Sequence, residues 1–158
     1  MTFDLEVGGL RPPWDAVSQG RRTRHEVDGE GVRSTAWSLE HPTEEVYLIA
    51  GPWHQYGREA GDVEIFAFLR DADPALAQKY LDATVRYLEL YQGMLPPYPY
   101  ASFALVENFW ETGYGMPGFT LLGPRVIRFP WILTSSYPHE LLHNWWGNSV
   151  YVNFKNGN

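Results

Sequence analysis

His139-Glu140-Leu141-Leu142-His143-Asn144-Trp145-Trp146-Gly147-Asn148 begins with two histidines four residues apart and an acid directly after the first. Coiled as a helix, positions i and i+4 lie about 40° apart around the axis, so both imidazoles and Glu140 share one side. Two neutral imidazoles a turn apart can grip a divalent cation, and a carboxylate beside them can take a proton from water on that cation. Leu141, Leu142 and Trp145 fall on the other side, which predicts a helix with a buried apolar flank and an outer flank presenting ligands. The competing explanation for the same residues is a pair of buried, hydrogen-bonded histidines with no ligand to hold.

Working outward, Ser135 or Ser136 is the expected cap of this helix, and Pro138 stands where a first helical turn accepts it. Ala101–Glu107, Phe119–Leu122 and Val126–Phe129 have the composition of strands. The proline-rich stretch Leu95–Tyr100 separates them from an earlier helix that Asp73 caps, Pro74 opens and Gly93 closes. Leu76, Tyr80, Ala83, Tyr87, Leu88 and Tyr91 recur at helical spacing and predict its buried stripe. Before it, Glu45–Ala50 and Asp62–Leu69 read as adjacent strands, joined by Gly51-Pro52 and a polar loop through Gly61. Thr23–Val27 and Val32–Leu39 flank Asp28-Gly29-Glu30-Gly31 and predict a hairpin, while Pro12-Pro13 makes the preceding stretch irregular. Strands followed by helices predict an α+β fold, a sheet with two helices packed on it.

A chain of 158 residues, 44% hydrophobic and 16% aromatic, has enough apolar surface for the core of one domain or a domain with an attachment. Its formal charge of −7, with Arg21–Arg24 as the one basic run, argues against nucleic acid or an anionic membrane as partner. Without cysteine there are no disulfides or thiolate ligands, and His, Asp and Glu are the side chains left to hold a metal. No run of apolar residues is long enough for a membrane span, and Asp4 and Glu6 stand where a signal peptide needs a basic start and an apolar middle. The compartment stays open.

HELLHNWWGN at His139–Asn148 resembles the H-E-x-x-H-x-W-[WF]-G-N active helix of the aminopeptidase N-like zinc metallopeptidases, gluzincins with a thermolysin-like catalytic domain. GYGMPGFTLLG at Gly113–Gly123 is similar in part to that family's G-x-M-E-N-P-G-x-T segment. VYLIAGP at Val46–Pro52 is similar to the strand at which a β-rich N-terminal domain gives way to the catalytic one. The resemblance implies that residues 1–44 are the terminal strands of the N-terminal β-domain, and residues 45–158 the first part of the catalytic domain, its β-rich lobe and active helix. It implies one zinc ion held by His139 and His143, Glu140 as general base, and a peptide substrate added as a strand along Gly113, Tyr114, Gly115 and Met116.

In that family the third zinc ligand is a glutamate on the next helix, followed by a tyrosine that stabilises the developing oxyanion. Both lie farther along than this chain runs, so the resemblance implies a truncated piece of a larger enzyme, binding zinc weakly and turning over little or no substrate. Aligning Pro117-Gly118 with the family's P-G puts Gly115 where relatives carry the glutamate that anchors a substrate α-amine, which places aminopeptidase action in question. Glu107 and Glu111 are the nearby carboxylates and read as solvated groups at a strand end; His54, weighed as a substitute ligand, reads as a loop residue. Asn144 and Asn148 receive no role. A missing helical lobe would leave Trp145 and Trp146 exposed and favour self-association. The competing expectations are a non-catalytic relative that binds peptide or protein on the same scaffold, and hydrolysis of a non-peptide substrate.

Overall fold

Ten strands and two helices make up the computed structural model, which describes residues 1–150, 153, 155 and 156. In chain order they are β1 (Phe3–Leu10), β2 (Trp14–Ser18), β3 (Arg21–Val27), β4 (Arg33–Leu39), β5 (Leu48–Pro52), β6 (His54–Ala60) and β7 (Val63–Leu69). After these come α1 (Pro74–Gln92), β8 (Ser102–Glu107), β9 (Gly113–Met116), β10 (Phe119–Leu122) and α2 (Ser136–Leu142). The α+β expectation holds. A five-stranded sheet, β6-β7-β8-β10-β9, carries α1 and α2, and two smaller sheets, β1-β4-β3 and β2-β5, accompany it.

Strand alternation decides the layering. In β7, Val63, Ile65, Ala67 and Leu69 turn to the helical side, where they join Tyr80, Leu88, Tyr137 and Leu141; Phe66 and Phe68 turn the other way, onto Val17, Trp37 and Trp53. In β8, Phe103 and Leu105 alternate with Ala104 and Val106 in the same manner. Strands β7, β8 and β10 run parallel and are buried on both faces, with β6 and β9 antiparallel at the two edges.

The predicted hairpin forms as β3 and β4, and its turn is held by Asp28, whose carboxylate accepts from the backbone N–H groups of Glu30 (2.9 Å) and Val32 (2.8 Å). Helix α1 also follows expectation: the Asp73 carboxylate accepts from Leu76 N–H at 2.9 Å, and Pro74 opens the first turn. Gly93 closes it in a right-handed conformation, φ −74°, so its freedom to turn left-handed is not used.

Four expectations are corrected. Residues 54–60, read as a polar loop, form β6; this is an edge strand, so alternate residues face water and the apolar signal disappears. Glu45–Ala50 and Asp62–Leu69 do not pair, because β5 joins β2 while β7 lies between β6 and β8. The stretch ahead of the hairpin is regular: β1 pairs with β4 across a bulge between Val7 and Leu10. Val126–Phe129 is no strand. Pro124 and Pro130 bracket a run too short to pair, and Val126–Arg128 makes a single 3₁₀ turn that buries Ile127.

Candidate metal centre

Helix α2 is only two turns long, so its position rests on packing rather than propensity. Its anchor is Tyr137, fully buried, edge-on to Tyr80 of α1 at 4.9 Å and hydrogen-bonded through its hydroxyl to Thr84. Burial pushes the phenol pKa values of Tyr80, Tyr98 and Tyr137 upward, so all three stay neutral donors or acceptors. The α1 stripe does more than fill the core. Tyr80, Tyr87 and Tyr91 donate their hydroxyls to the backbone carbonyls of Ile127 (2.8 Å), Leu133 (2.6 Å) and Pro138 (2.9 Å), pinning the connection into α2 at three places.

With the helix so held, Leu141 and Trp145 are buried and Leu142 partly so, as the periodicity predicts. Ser135 occupies the cap position, but its hydroxyl donates back to the Trp131 carbonyl at 2.9 Å and leaves the first-turn N–H groups uncapped by a side chain. Pro138 lies within the first turn, as expected.

The outward flank brings the two imidazoles together, with Nε2 of His139 and Nε2 of His143 3.1 Å apart and the rings nearly perpendicular, 84°. His143 Nδ1 stands 3.1 Å from the carbonyl oxygen of Trp146, which can only accept, so Nδ1 carries the proton and Nε2 presents a lone pair. Nitrogens sharing one tetrahedral zinc ion at ordinary bond lengths lie about 3.3 Å apart. The pair therefore fits a shared cation, with a carbonyl orienting one ring in the manner usual for metal-bound histidine. Among the described residues no group of three or more His, Cys, Asp and Glu side chains converges, so the histidines offer two ligands.

The Glu140 side chain reaches from α2 to β9. Its carboxylate oxygen would be 3.2 Å from a Cβ placed on Gly113, which sets the acid directly against the edge strand. A Cβ on Gly115 would lie 2.9 Å from the Glu140 carbonyl oxygen and 2.9 Å from His143 Cβ. No side chain is accommodated there without a shift of α2 or β9, which explains in steric terms why glycine stands at this position. Tyr114 is exposed, and Met116 is half-buried on the opposite side of the sheet.

Among the nearby groups Glu107 and Trp145 differ from expectation, while Glu111 is exposed as expected. Glu107 is not solvated: it is 2% exposed, accepting from Arg128 Nη1 at 2.5 Å and Arg70 N–H at 2.8 Å. Glu111 is bound by Arg125 through both side chain and backbone at 3.0 Å, and these bonds outweigh the effect of desolvation and hold its pKa below the usual value. His54 opens β6, across three strands from β9, and cannot join the histidine pair. Trp145 is buried, its indole N–H donating to the Pro96 carbonyl at 2.8 Å, and of the two tryptophans Trp146 alone is exposed.

Sequence reasoning missed Asn144. It is fully buried; its Oδ1 accepts from Gly118 N–H (2.8 Å) and Tyr98 hydroxyl (3.2 Å), tying the end of α2 to the β9–β10 turn. Asn148 completes the link by donating Nδ2 to the Gly115 carbonyl at 3.3 Å. The indication in the sequence is a pair of asparagines, Asn144 and Asn148, just past the last turn of the helix, with Gly147 between them.

No family model matches the chain, and no curated protein matches it. Solved structures do. A mutant of a two-domain M1 zinc metallopeptidase bound to L-arginine superposes with a TM-score of 0.70 at 17% identity, over 94% of this chain and 35% of that one. The M1 zinc metallopeptidase from Deinococcus radiodurans gives 0.68 at 19% identity, over 93% and 34%. A mutant M1 zinc metallopeptidase from the same organism, bound to a Tyr-Ser-Ala substrate, gives 0.70 at 19% identity, over 93% and 34%. The likeness is one of fold, and this chain spans about a third of the length of each of these proteins.

Proposed function

We propose that the chain carries part of a zinc peptidase active site: His139 and His143 as two metal ligands, Glu140 as general base, and the β9 edge at Gly113–Met116 as the docking strand for an extended peptide. The observation that supports this best is the 3.1 Å approach of the two Nε2 atoms with the His143 tautomer fixed by the Trp146 carbonyl. Bound zinc would supply Lewis-acid activation of water. Glu140 would accept the proton and return it to the leaving amine, and the peptide backbone would pair with β9. In this reading residues 1–44 end a β-domain and residues 45–158 begin a thermolysin-like catalytic domain.

Because two ligands fall short of the three protein ligands of a catalytic zinc site, the chain by itself is expected to bind zinc reversibly and hydrolyse little or no peptide. Metal analysis and calorimetry test this. Zinc should leave on dialysis, should bind again when added, and should lose most of its affinity in His143→Ala; zinc retained through dialysis would overturn the two-ligand account. A peptide panel, with free and blocked amines, separates hydrolysis from simple peptide binding. The lack of room for a carboxylate at Gly115 favours blocked or internal peptides over free amines. Exposed Trp131 and Trp146 lead to a related expectation of self-association, read from light scattering on dilution.

A further inference from the structure

At the carboxyl ends of β7 and β8, on the face of the sheet away from α2, lies a cavity of about 370 Å³. Trp14, Trp53 and Phe109 wall it, and Arg70, Glu107 and Asn108 supply its polar edge. The volume is within the usual range for small-molecule sites, as is the combination of aromatic walls with a few polar groups. Gly51 makes the floor possible: a Cβ there would lie 2.7 Å from the Trp53 indole, which instead lies flat against β5.

The polar groups can be sorted by what they still lack. Both carboxylate oxygens of Glu107 are taken, by Arg128 and by Arg70 N–H, and its backbone carbonyl accepts from Trp53 Nε1 at 3.1 Å. Asn108 Oδ1 accepts from Phe109 N–H at 2.8 Å, which fixes the orientation of the amide. Its Nδ2, on a residue 2% exposed, has no acceptor. The Arg70 guanidinium is exposed and makes no hydrogen bond or ion pair among the described residues. The side-chain acceptors of Glu107 and Asn108 are thus occupied, and what is left over are donors. A ligand completing this site must bring acceptors at one end and a flat apolar body at the other.

We propose that this cavity binds a small aromatic carboxylate, its carboxylate paired with the exposed Arg70 guanidinium and its ring held among Trp14, Trp53 and Phe109, beside Asn108. The inference does not depend on the peptidase reading, since the histidine pair lies on the opposite face of the sheet. Titration of the isotopically labelled chain with 3-phenylpropionate, followed by ¹H–¹⁵N NMR, tests it. The Asn108 side-chain amide and Trp53 indole resonances should move together and saturate below about 10 mM, as suits a ligand of this size. The neutral isostere 3-phenylpropanamide should bind at least about tenfold more weakly, and Arg70→Gln, at an exposed position, should weaken the acid by about as much with unchanged thermal stability. Equal binding of acid and amide, an unaltered affinity in Arg70→Gln, or no movement of these resonances by about 10 mM would each overturn the proposal.

Discussion

Gly115 has room for hydrogen and nothing more. Replacing it by alanine puts a methyl group against the Glu140 carbonyl and His143 Cβ, both held by the packing of α2, so the strand or the helix must move. The expected cost is about 1–3 kcal/mol, read by chemical denaturation, with loss of zinc affinity as the imidazoles separate. Sequence spacing was enough to bring His139 and His143 to one flank of α2, because a helix converts a four-residue interval directly into a shared side. It was not enough for Asn144, whose partners Tyr98 and Gly118 are 46 and 26 residues distant and meet it only in the folded chain. Glu107 was misread for the same reason: nothing local announces that Arg128 and the Arg70 backbone close over it.

Among the elements, α1 acts as the support for α2. Tyr91→Phe removes the hydroxyl that reaches the Pro138 carbonyl, in the first turn of a helix with no side-chain cap of its own. A stability loss of about 0.5–1.5 kcal/mol is expected, and hydrogen exchange should speed up in residues 136–143 more than in α1 itself. The stripe of α1 was legible from its spacing, but its second purpose was not, since periodicity reports which residues turn inward and not which carbonyl a phenol will meet. Strand β6 shows the complementary blind spot. An edge strand needs pairing on one side only, so HQYGREA carries little of the alternation by which β7 is recognised.

Across the molecule, Asp15 joins the sheets. From β2 its buried carboxylate accepts from Thr35 Oγ1 of β4 (2.9 Å), meets His25 Nε2 of β3 at 2.7 Å, and pairs with Arg33 at 3.4 Å. Burial works to raise its pKa, but the bonds from His25, Ala16 and Thr35 prevail and lower it beneath the usual 3.8. A depressed folded pKa means that the unfolded chain takes up the proton first as pH falls. The stabilisation is therefore complete above 3.8 and drains away below it. Denaturation curves should show Asp15→Asn less stable by about 1–3 kcal/mol near neutrality, the gap narrowing below pH 4. The sheet arrangement behind this contact was only partly legible: composition and order gave α+β, while the pairing of β2 with β5 joins segments that local sequence leaves unconnected.

The three phenols of α1 clasp main-chain oxygens, and main-chain oxygens are common to every amino acid. The exposed parts of the stretch they clasp, residues 129–131 and 134–136, can accordingly drift in composition without loosening its moorings, whereas the tyrosines and the buried Ile127, Ile132 and Tyr137 have no such latitude. Variation tolerated in the loop and refused in the helix beneath it is the evolutionary imprint such an arrangement would leave, and it places the heritable memory of the proposed metal site some fifty residues ahead of the histidines.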